Sequence, residues 1–350
     1  MLHHFAADIS SICPPRQFTW PFHYEPHALS RLAAAEVEAY LRSREDWATE
    51  LALGKMFGVL VVRDAEGELG FLAAFSGNLA GTNQHEYFVP PVYDMLRPDD
   101  FFRQEEAKIS AINRDIEELT HSEKYTNAKQ EVEHIKLKVN SELSAFKSTL
   151  AERKAARAAR RQQGEDAATL ILESQRDNAD MQRLKRHCRA MVAQAEERFA
   201  MHKAEIDALR AERSHRSAEL QMALFREFRM LNARGEVRDL CDLFAPTAQR
   251  IPPAGAGECA APKLLQYAYL HDLRPLAMAE FWQGASPRGE VRHDGHFYPS
   301  CNSKCKPILS HMLKGLKVEP NPLMEIVPPE PTIIWEDDVL VAINKPSGML

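Results

Sequence analysis

Three cysteines in the last third of the chain have the residue type and spacing that chemistry needs: Cys259, Cys301 and Cys305. Zinc takes four ligands and favours thiolate sulfur, and the gap between Cys301 and Cys305 falls within the usual spacing of a zinc-binding pair. Cys259 and one of His296 or His311 would complete the ligand set. One reading of this region is therefore a zinc site, although Cys259 has no second cysteine close to it.

Two other interpretations of the same residues stay open. Cys259 lies at a Gly-rich turn before a predicted helix, whose N-terminus would lower the pKa of a thiol and make it a nucleophile. His296 or His311 would then serve as its base. In the plainest interpretation, the cysteines are reduced and partly buried residues of a small domain. We favour that one at the level of sequence, and we assign no metal ligand and no catalytic residue.

Composition restricts the class of protein. Six cysteines are too few for a disulfide scaffold in 350 residues. The N-terminus lacks the basic and apolar regions of a secretion signal, and no apolar run approaches the ~20 residues that cross a bilayer. We therefore expect a cytoplasmic protein without a membrane partner. The net charge is −6, but segment 101–235 is basic, so phosphate contacts are expected there.

The N-terminal 100 residues predict a small α+β domain. Apolar residues at helical spacing indicate a helix over about 27–45. Two apolar runs, Lys55–Arg63 and Glu68–Phe75, read as strands, and Asp64–Gly67 between them is a good hairpin turn.

Residues 101–234 predict long helices, because this charged segment has no proline and a single glycine, Gly164. Its apolar residues recur at heptad-like spacing. The break at 160–166 divides the segment into two arms of similar length, which favours an antiparallel coiled-coil hairpin. A continuous helix that dimerises in parallel is the alternative, and the sequence predicts no oligomeric state.

Basic residues cluster near the predicted tip of this hairpin. They are Arg153, Lys154, Arg157, Arg160 and Arg161, followed along the chain by Arg183, Lys185, Arg186, His187 and Arg189. Each lysine or arginine could neutralise one phosphate of an RNA backbone. The structural alternative is a solvated helix face, since acidic residues are interspersed.

The remaining segments complete a predicted α+β architecture. Residues 235–317 predict a second small domain, which holds the cysteines and histidines described above. Residues 318–331 contain five prolines and predict a semi-rigid linker. Residues 332–350 then read as a strand, an acidic turn at Glu336–Asp338, a buried strand at Val339–Ile343, and a stop at Asn344–Gly348.

The segment 332–350 resembles the opening strands of the RluA-type RNA pseudouridine synthase domain. In that family, a YEDD sequence, an apolar strand and an NKPxG sequence stand close together, and Trp335 replaces the usual tyrosine here. The whole arrangement is similar to a long bacterial subgroup in which an N-terminal region and a coiled coil precede the synthase domain. The family's catalytic aspartate stands in an HRLDxxTSG motif, which this sequence lacks.

This resemblance implies an enzyme that converts uridine to pseudouridine in structured RNA, either rRNA or tRNA, without a cofactor or metal. The catalytic aspartate would lie beyond Leu350. Asn344, Lys345, Pro346 and Gly348 match the family motif and are expected at the floor of the substrate cleft. Residues 1–317 would then be a targeting module. Two alternatives remain, a non-catalytic coiled-coil interaction protein and a Cys259-dependent hydrolase fused to a synthase.

Overall fold

The computed structural model of the protein describes residues 1–97, 100–287, 289–325 and 331–345. Its strands are β1 (His3–His4), β2 (Lys55–Arg63), β3 (Leu69–Phe75), β4 (Met230–Leu231), β5 (Val237–Arg238), β6 (Arg274–Gln283), β7 (Thr332–Glu336) and β8 (Val341–Asn344). Its α-helices are α1 (Ala28–Ser43), α2 (Ala48–Ala52), α3 (Phe101–His121), α4 (Glu123–Gln162), α5 (Ala167–Glu227), α6 (Leu240–Phe244), α7 (Ala260–Leu270), α8 (Cys305–Met312) and α9 (Pro322–Glu325). The predicted α+β class is confirmed.

The chain divides into two compact units. Unit 1 comprises residues 1–100 and 221–350, and unit 2 comprises residues 101–220. A four-stranded sheet in the order β1-β3-β2-β6 forms the centre of unit 1. Strand β2 runs antiparallel to both of its neighbours, so that Leu60 lies opposite Leu72 on one side and Met278 on the other.

Helices cover both faces of this sheet, which explains why its strands are apolar at nearly every position. Alternate residues of β2 face opposite sides. Phe57 and Val59 pack with α1 residues such as Val37, whereas Leu60 packs with α7 residues such as Leu264. Helix α8 packs in the same core as α7. Strands β2, β3 and β6 therefore form a largely buried layer between helices on both faces.

The first hairpin lies where the sequence predicts it. Strands β2 and β3 are antiparallel, and the Glu68 backbone N–H donates to the Asp64 carboxylate at 2.7 Å. Gly67 has φ of +92°, a left-handed conformation that glycine adopts at little cost.

The predicted separation of segments 1–100 and 235–317 into two domains differs from the structure. Strand β6, from the second segment, pairs along its length with β2 from the first. Both segments thus share one sheet and one core. Sequence periodicity shows that a strand exists but carries no information on its distant partner, which is why the two segments look independent.

Unit 2 contains α3, α4 and most of α5. Ion pairs join α4 to α5 in antiparallel register: Arg198 to Glu131 at 2.9 Å, and Lys136 to Glu196 at 2.6 Å. The turn between them contains Gly164 in the left-handed region, with φ of +87°. The two arms therefore pair within one chain.

A narrow apolar seam lies between the arms of unit 2. Its buried residues are Val132, Val139, Leu170, Cys188, Ala195 and Ile206. Most of the remaining helix surface is exposed and rich in charged residues, although apolar side chains such as Leu137 and Met201 are also exposed. Among the described residues, none of the helices combines the length and apolarity that crossing a membrane requires.

Gly58 in β2 allows α7 to approach the sheet closely. A Cβ atom at this position would lie 2.9 Å from the Ala260 Cβ and 3.2 Å from Leu264 Cδ1. Both neighbours belong to the first turns of α7. The absence of a side chain at Gly58 therefore fixes the height of the α7 N-terminus above β2.

We expect Gly58→Ala to destabilise unit 1 by about 1–3 kcal/mol, because the added methyl group overfills a close-packed contact. Urea unfolding followed by circular dichroism measures the change. The double variant Gly58→Ala/Ala260→Gly removes the opposing methyl group and should cost less than the two single changes added together. Additive costs would show that the contact is not tight.

Candidate active site

The three cysteines singled out in the sequence come together at the N-termini of two helices. Cys259 is the N-cap residue of α7, and Cys305 is the first residue of α8. The Cys305 backbone N–H donates to Cys301 Sγ at 3.4 Å. All three cysteines line the same pocket. The structure therefore gathers residues that are distant in sequence into one sulfur cluster.

Hydrogen bonding gives the three sulfurs different proton affinities. Hydrogen bonds from the Cys259 and Cys305 thiols, joined by backbone N–H groups at the start of α8, lower the pKa of Cys301. Its hydrogen bond to Cys301 raises the pKa of the Cys259 thiol to about 12. Contacts with Cys259 and Cys301 also raise the pKa of Cys305. The lowered pKa of Cys301 and the raised pKa values of Cys259 and Cys305 favour Cys301 as the thiolate among the three.

A buried carboxyl group lies beside the sulfurs. Glu280, on β6, is 4% exposed. The Ser300 hydroxyl donates to one of its carboxylate oxygens at 2.5 Å, and the Ala261 backbone N–H at the start of α7 donates to the other at 3.4 Å. Burial raises the pKa of Glu280 to about 7. This group can therefore accept or release a proton near neutral pH.

The backbone of Glu280 is fixed on both sides. Its N–H donates to the Tyr24 hydroxyl at 2.9 Å, and its carbonyl oxygen accepts from the Tyr298 N–H at 2.9 Å. The Tyr24 hydroxyl in turn donates to the Tyr298 carbonyl oxygen at 3.1 Å. These bonds hold β6 against the N-terminal segment and keep the Glu280 carboxyl group at a defined position.

A buried cation lies one turn into α7. Lys263 is 3% exposed, and its ammonium group donates to the carbonyl oxygens of Phe75 at 2.9 Å and Gly77 at 3.2 Å. Burial lowers its pKa to about 8. Lys263 thereby ties the end of β3 to the helix that carries Cys259.

The sulfurs and Glu280 line a pocket of about 410 Å³. Trp282, Arg292 and Lys304 also line it. The Arg292 guanidinium lies 5.1 Å from the ring centres of both Trp282 and Tyr298, and it pairs with Glu290 at 2.7 Å. The pocket thus combines an aromatic surface, two cationic side chains and a buried proton acceptor.

Neither predicted histidine is brought to the cysteines. His311 is buried in α8, where its Nε2 atom lies 3.1 Å from the Met230 carbonyl oxygen. His296 is not among the residues that line the pocket, and its ring lies 5.2 Å from that of His293. The interpretation of Cys259 as a nucleophile with a histidine base therefore has no support from this geometry, since the lowered thiol pKa belongs to Cys301.

Two of the predicted substrate-binding residues, Asn344 and Lys345, lie at the end of a separate two-stranded sheet formed by β7 and β8. Asn344 ends β8 and pairs with Thr332, and Lys345 follows it. Pro346 and Gly348 lie outside the described residues. All of the residues from 331 to 345 are exposed.

Sequence reasoning missed Glu280 and Arg292. The signal for Glu280 was present, because a carboxylate stands inside the apolar run Leu276–Trp282, which is too hydrophobic for a surface strand. The sequence contains no pattern that points to Arg292, because its position depends on contacts with two aromatic rings from separate segments.

No protein-family model, curated protein or solved structure matches the chain. Within the described residues, no three histidine, cysteine or acidic side chains already adopt the arrangement of a metal-holding group.

We expect Cys301 to be alkylated by iodoacetamide at a lower pH than Cys259 in chelator-treated protein, because its lowered pKa leaves it as thiolate. Peptide mass spectrometry at a series of pH values measures both rates. Cys259→Ala removes a hydrogen-bond donor and should shift the Cys301 profile towards higher pH. Cys241→Ala, a change in α6, is the matched control and should leave it in place. Faster labelling of Cys259 would contradict the assigned proton distribution.

Proposed function

We propose that this chain is the N-terminal part of a cytoplasmic RNA pseudouridine synthase, which converts uridine in rRNA or tRNA to pseudouridine. Residues 1–317 would act as its targeting module. The single observation that carries the proposal is the segment 332–345, whose sequence resembles the opening of the synthase domain and which folds as an isolated hairpin.

The local structure of this hairpin agrees with the resemblance. Ile333 pairs with Ile343, and the acidic turn is closed by the Asp337 carboxylate, which accepts from the backbone N–H groups of Val339 and Leu340 at 2.8 Å. Ile333 is 60% exposed and Ile343 is 48% exposed. Two strands with uncovered apolar side chains are marginally stable alone and are typical of part of a larger sheet. This supports a role as the first strands of a synthase domain.

In this proposal, Asn344, Lys345, Pro346 and Gly348 shape the floor of the uridine cleft. The catalytic aspartate is contributed by a downstream motif, and the reaction uses no cofactor. The target uridine must leave its stack to be reached, so the enzyme needs surfaces that hold the surrounding RNA. The basic part of unit 2 is our candidate for such a surface.

Ion pairs within unit 2 reduce the number of cationic side chains that are available to contact RNA. Asp177 binds both Arg153, at 2.9 Å, and Arg157, at 2.5 Å. Arg160 pairs with Glu165 and Glu173. These arginines already have carboxylate partners and are poorly available to phosphate.

Of the basic residues in the two clusters predicted from the sequence, four lysines and arginines are exposed and have no ion-pair partner among the described residues. They are Lys154, Arg161, Arg186 and Arg189. We propose that these residues contact the phosphates of the RNA backbone.

The variant with Lys154, Arg161, Arg186 and Arg189 all replaced by Gln should bind rRNA or tRNA more weakly. Its dependence on salt should also be shallower, because log K changes by roughly 0.7–0.9 per phosphate contact for each tenfold change in salt. Filter binding at several salt concentrations measures both. The matched control replaces Arg114, Lys124, Lys129 and Lys147, which are exposed cations of unit 2 outside the two predicted clusters. Equal affinities of the two variants would exclude this RNA-binding role.

The synthase assignment itself is tested by the coding sequence downstream of the Leu350 codon. We expect it to encode the HRLDxxTSG motif. The protein encoded by the full reading frame should release tritium from RNA that carries uridine tritiated at C5, because the new glycosidic bond replaces the C5–H bond. A stop codon directly after Leu350 would contradict the assignment and favour a non-catalytic interaction protein.

A further inference from the structure

We propose that Cys259, Cys301 and Cys305 bind one Zn²⁺ ion whose fourth coordination position opens into the pocket, where Glu280 handles the protons of a hydrolytic reaction. The ligand class we infer for the pocket is an amino-substituted nitrogen heterocycle, such as the base of a cytosine or adenine nucleotide. This activity is separate from uridine isomerisation and uses a different part of the chain.

The positions of the three sulfurs favour binding of one shared metal ion. The three cysteines stand at or just before the N-termini of two helices that pack in one core, the Cys305 N–H donates to Cys301 Sγ at 3.4 Å, and all three residues line one pocket. A tetrahedral zinc site with Zn–S bonds of about 2.3 Å separates its sulfurs by about 3.8 Å. The described side chains do not have that arrangement, so loading requires rotation of the cysteine side chains.

Zinc binding requires the thiol ligands to lose their protons. The N-termini of α7 and α8 favour the resulting negative charge, because Cys259 caps α7 and Cys305 begins α8.

Three protein ligands with an open fourth position are the pattern of catalytic zinc, whereas structural sites are closed by four ligands. The three cysteines line the pocket of about 410 Å³, so its interior is available to a water and a substrate. No histidine lines this pocket among the described residues. The fourth position is therefore left for water.

Glu280 has the position of a proton carrier and not of a ligand. Its two oxygens are held by the Ser300 hydroxyl and by the Ala261 N–H, while the carboxyl group lines the same pocket as the sulfurs. Zinc deaminases of nucleobases combine a set of three Cys or His ligands with a glutamate that does not bind the metal. Cys259, Cys301, Cys305 and Glu280 reproduce that set of donor types.

The pocket walls indicate the substrate class. Trp282 provides a flat apolar surface for a ring, and Arg292 is held beside it by contact with the Trp282 ring at 5.1 Å. Lys304 places positive charge at the same pocket, which suits the phosphate of a nucleotide.

The reaction is balanced with water alone. The water oxygen forms a bond to the ring carbon that carries the amino group, and Glu280 transfers one water proton to the adjacent ring nitrogen. Glu280 then transfers the second proton from the new hydroxyl group to the amino group. The C–N bond breaks, ammonia leaves, and the ring carbon keeps the oxygen as a carbonyl. Nothing is oxidised or reduced.

Zinc content tests the site. The full chain, supplied with zinc and dialysed, should retain one Zn²⁺ per chain by mass spectrometry of the metal, and Cys301→Ser should lose it. Cys188→Ser, at a buried cysteine of unit 2, is the matched control and should retain it. Replacement by Co²⁺ should give thiolate charge-transfer absorption and the visible bands of a four-coordinate ion. Folded wild-type protein that retains no zinc and gives no such spectrum would overturn the proposal.

Ammonia release tests the chemistry. Zinc-loaded protein should release ammonia from at least one of cytidine, adenosine, their 5′-monophosphates or single-stranded RNA. Glu280→Gln should keep the zinc and the cobalt spectrum but lose activity by about 10²–10⁴-fold, because it removes the proton carrier. If the zinc-loaded wild type releases no ammonia from any of these, the catalytic assignment is wrong. Tritium release from uridine is measured in a separate assay. A failure to release ammonia can therefore be distinguished from a failure to isomerise uridine.

Discussion

The pairing of β2 with β6 is the constraint on which the rest of unit 1 depends. Helix α7 directly precedes β6 along the chain, and the segment that carries Cys301 and Cys305 follows β6. Because β6 lies against β2, Glu280 faces the N-terminus of α7, and the same pocket is lined by Cys301 and Cys305. The cluster of sulfurs is therefore a consequence of one strand pairing and needs no separate arrangement of each cysteine.

The same pairing explains what the sequence could and could not predict. The α+β class, the hairpin of β2 and β3, and the long helices were predictable, because each depends on local periodicity, turn residues or the absence of breakers. The joining of segments 1–100 and 235–317 in one sheet was not predictable, because it depends on contacts between strands far apart in sequence. The sequence placed Cys259 at a turn before a helix, but its position beside Cys301 arises only through the shared sheet.

The position of unit 2 in the chain is a further physical constraint. Segment 101–220 is inserted between β3 and α7, which belong to the same core. A continuous helix of this length would separate its two ends by about 180 Å at 1.5 Å per residue. The antiparallel pairing of α4 and α5 brings the chain back and leaves the core intact. A helical arm of this kind can thus be gained or lengthened without disturbing the strands that build the pocket.

The buried charges argue that the pocket is more than a packed core. Glu280 and Lys263 are both nearly inaccessible, and removing an ionisable group from water costs free energy even when hydrogen bonds replace its hydration. Apolar residues of similar volume would stabilise the same fold at least as well. Perturbed pKa values near neutrality, for Glu280 at about 7 and Lys263 at about 8, are typical of groups that take part in chemistry. A carboxyl group, a cation and three thiols thus meet on one face of the sheet, and the proposed chemistry depends on them.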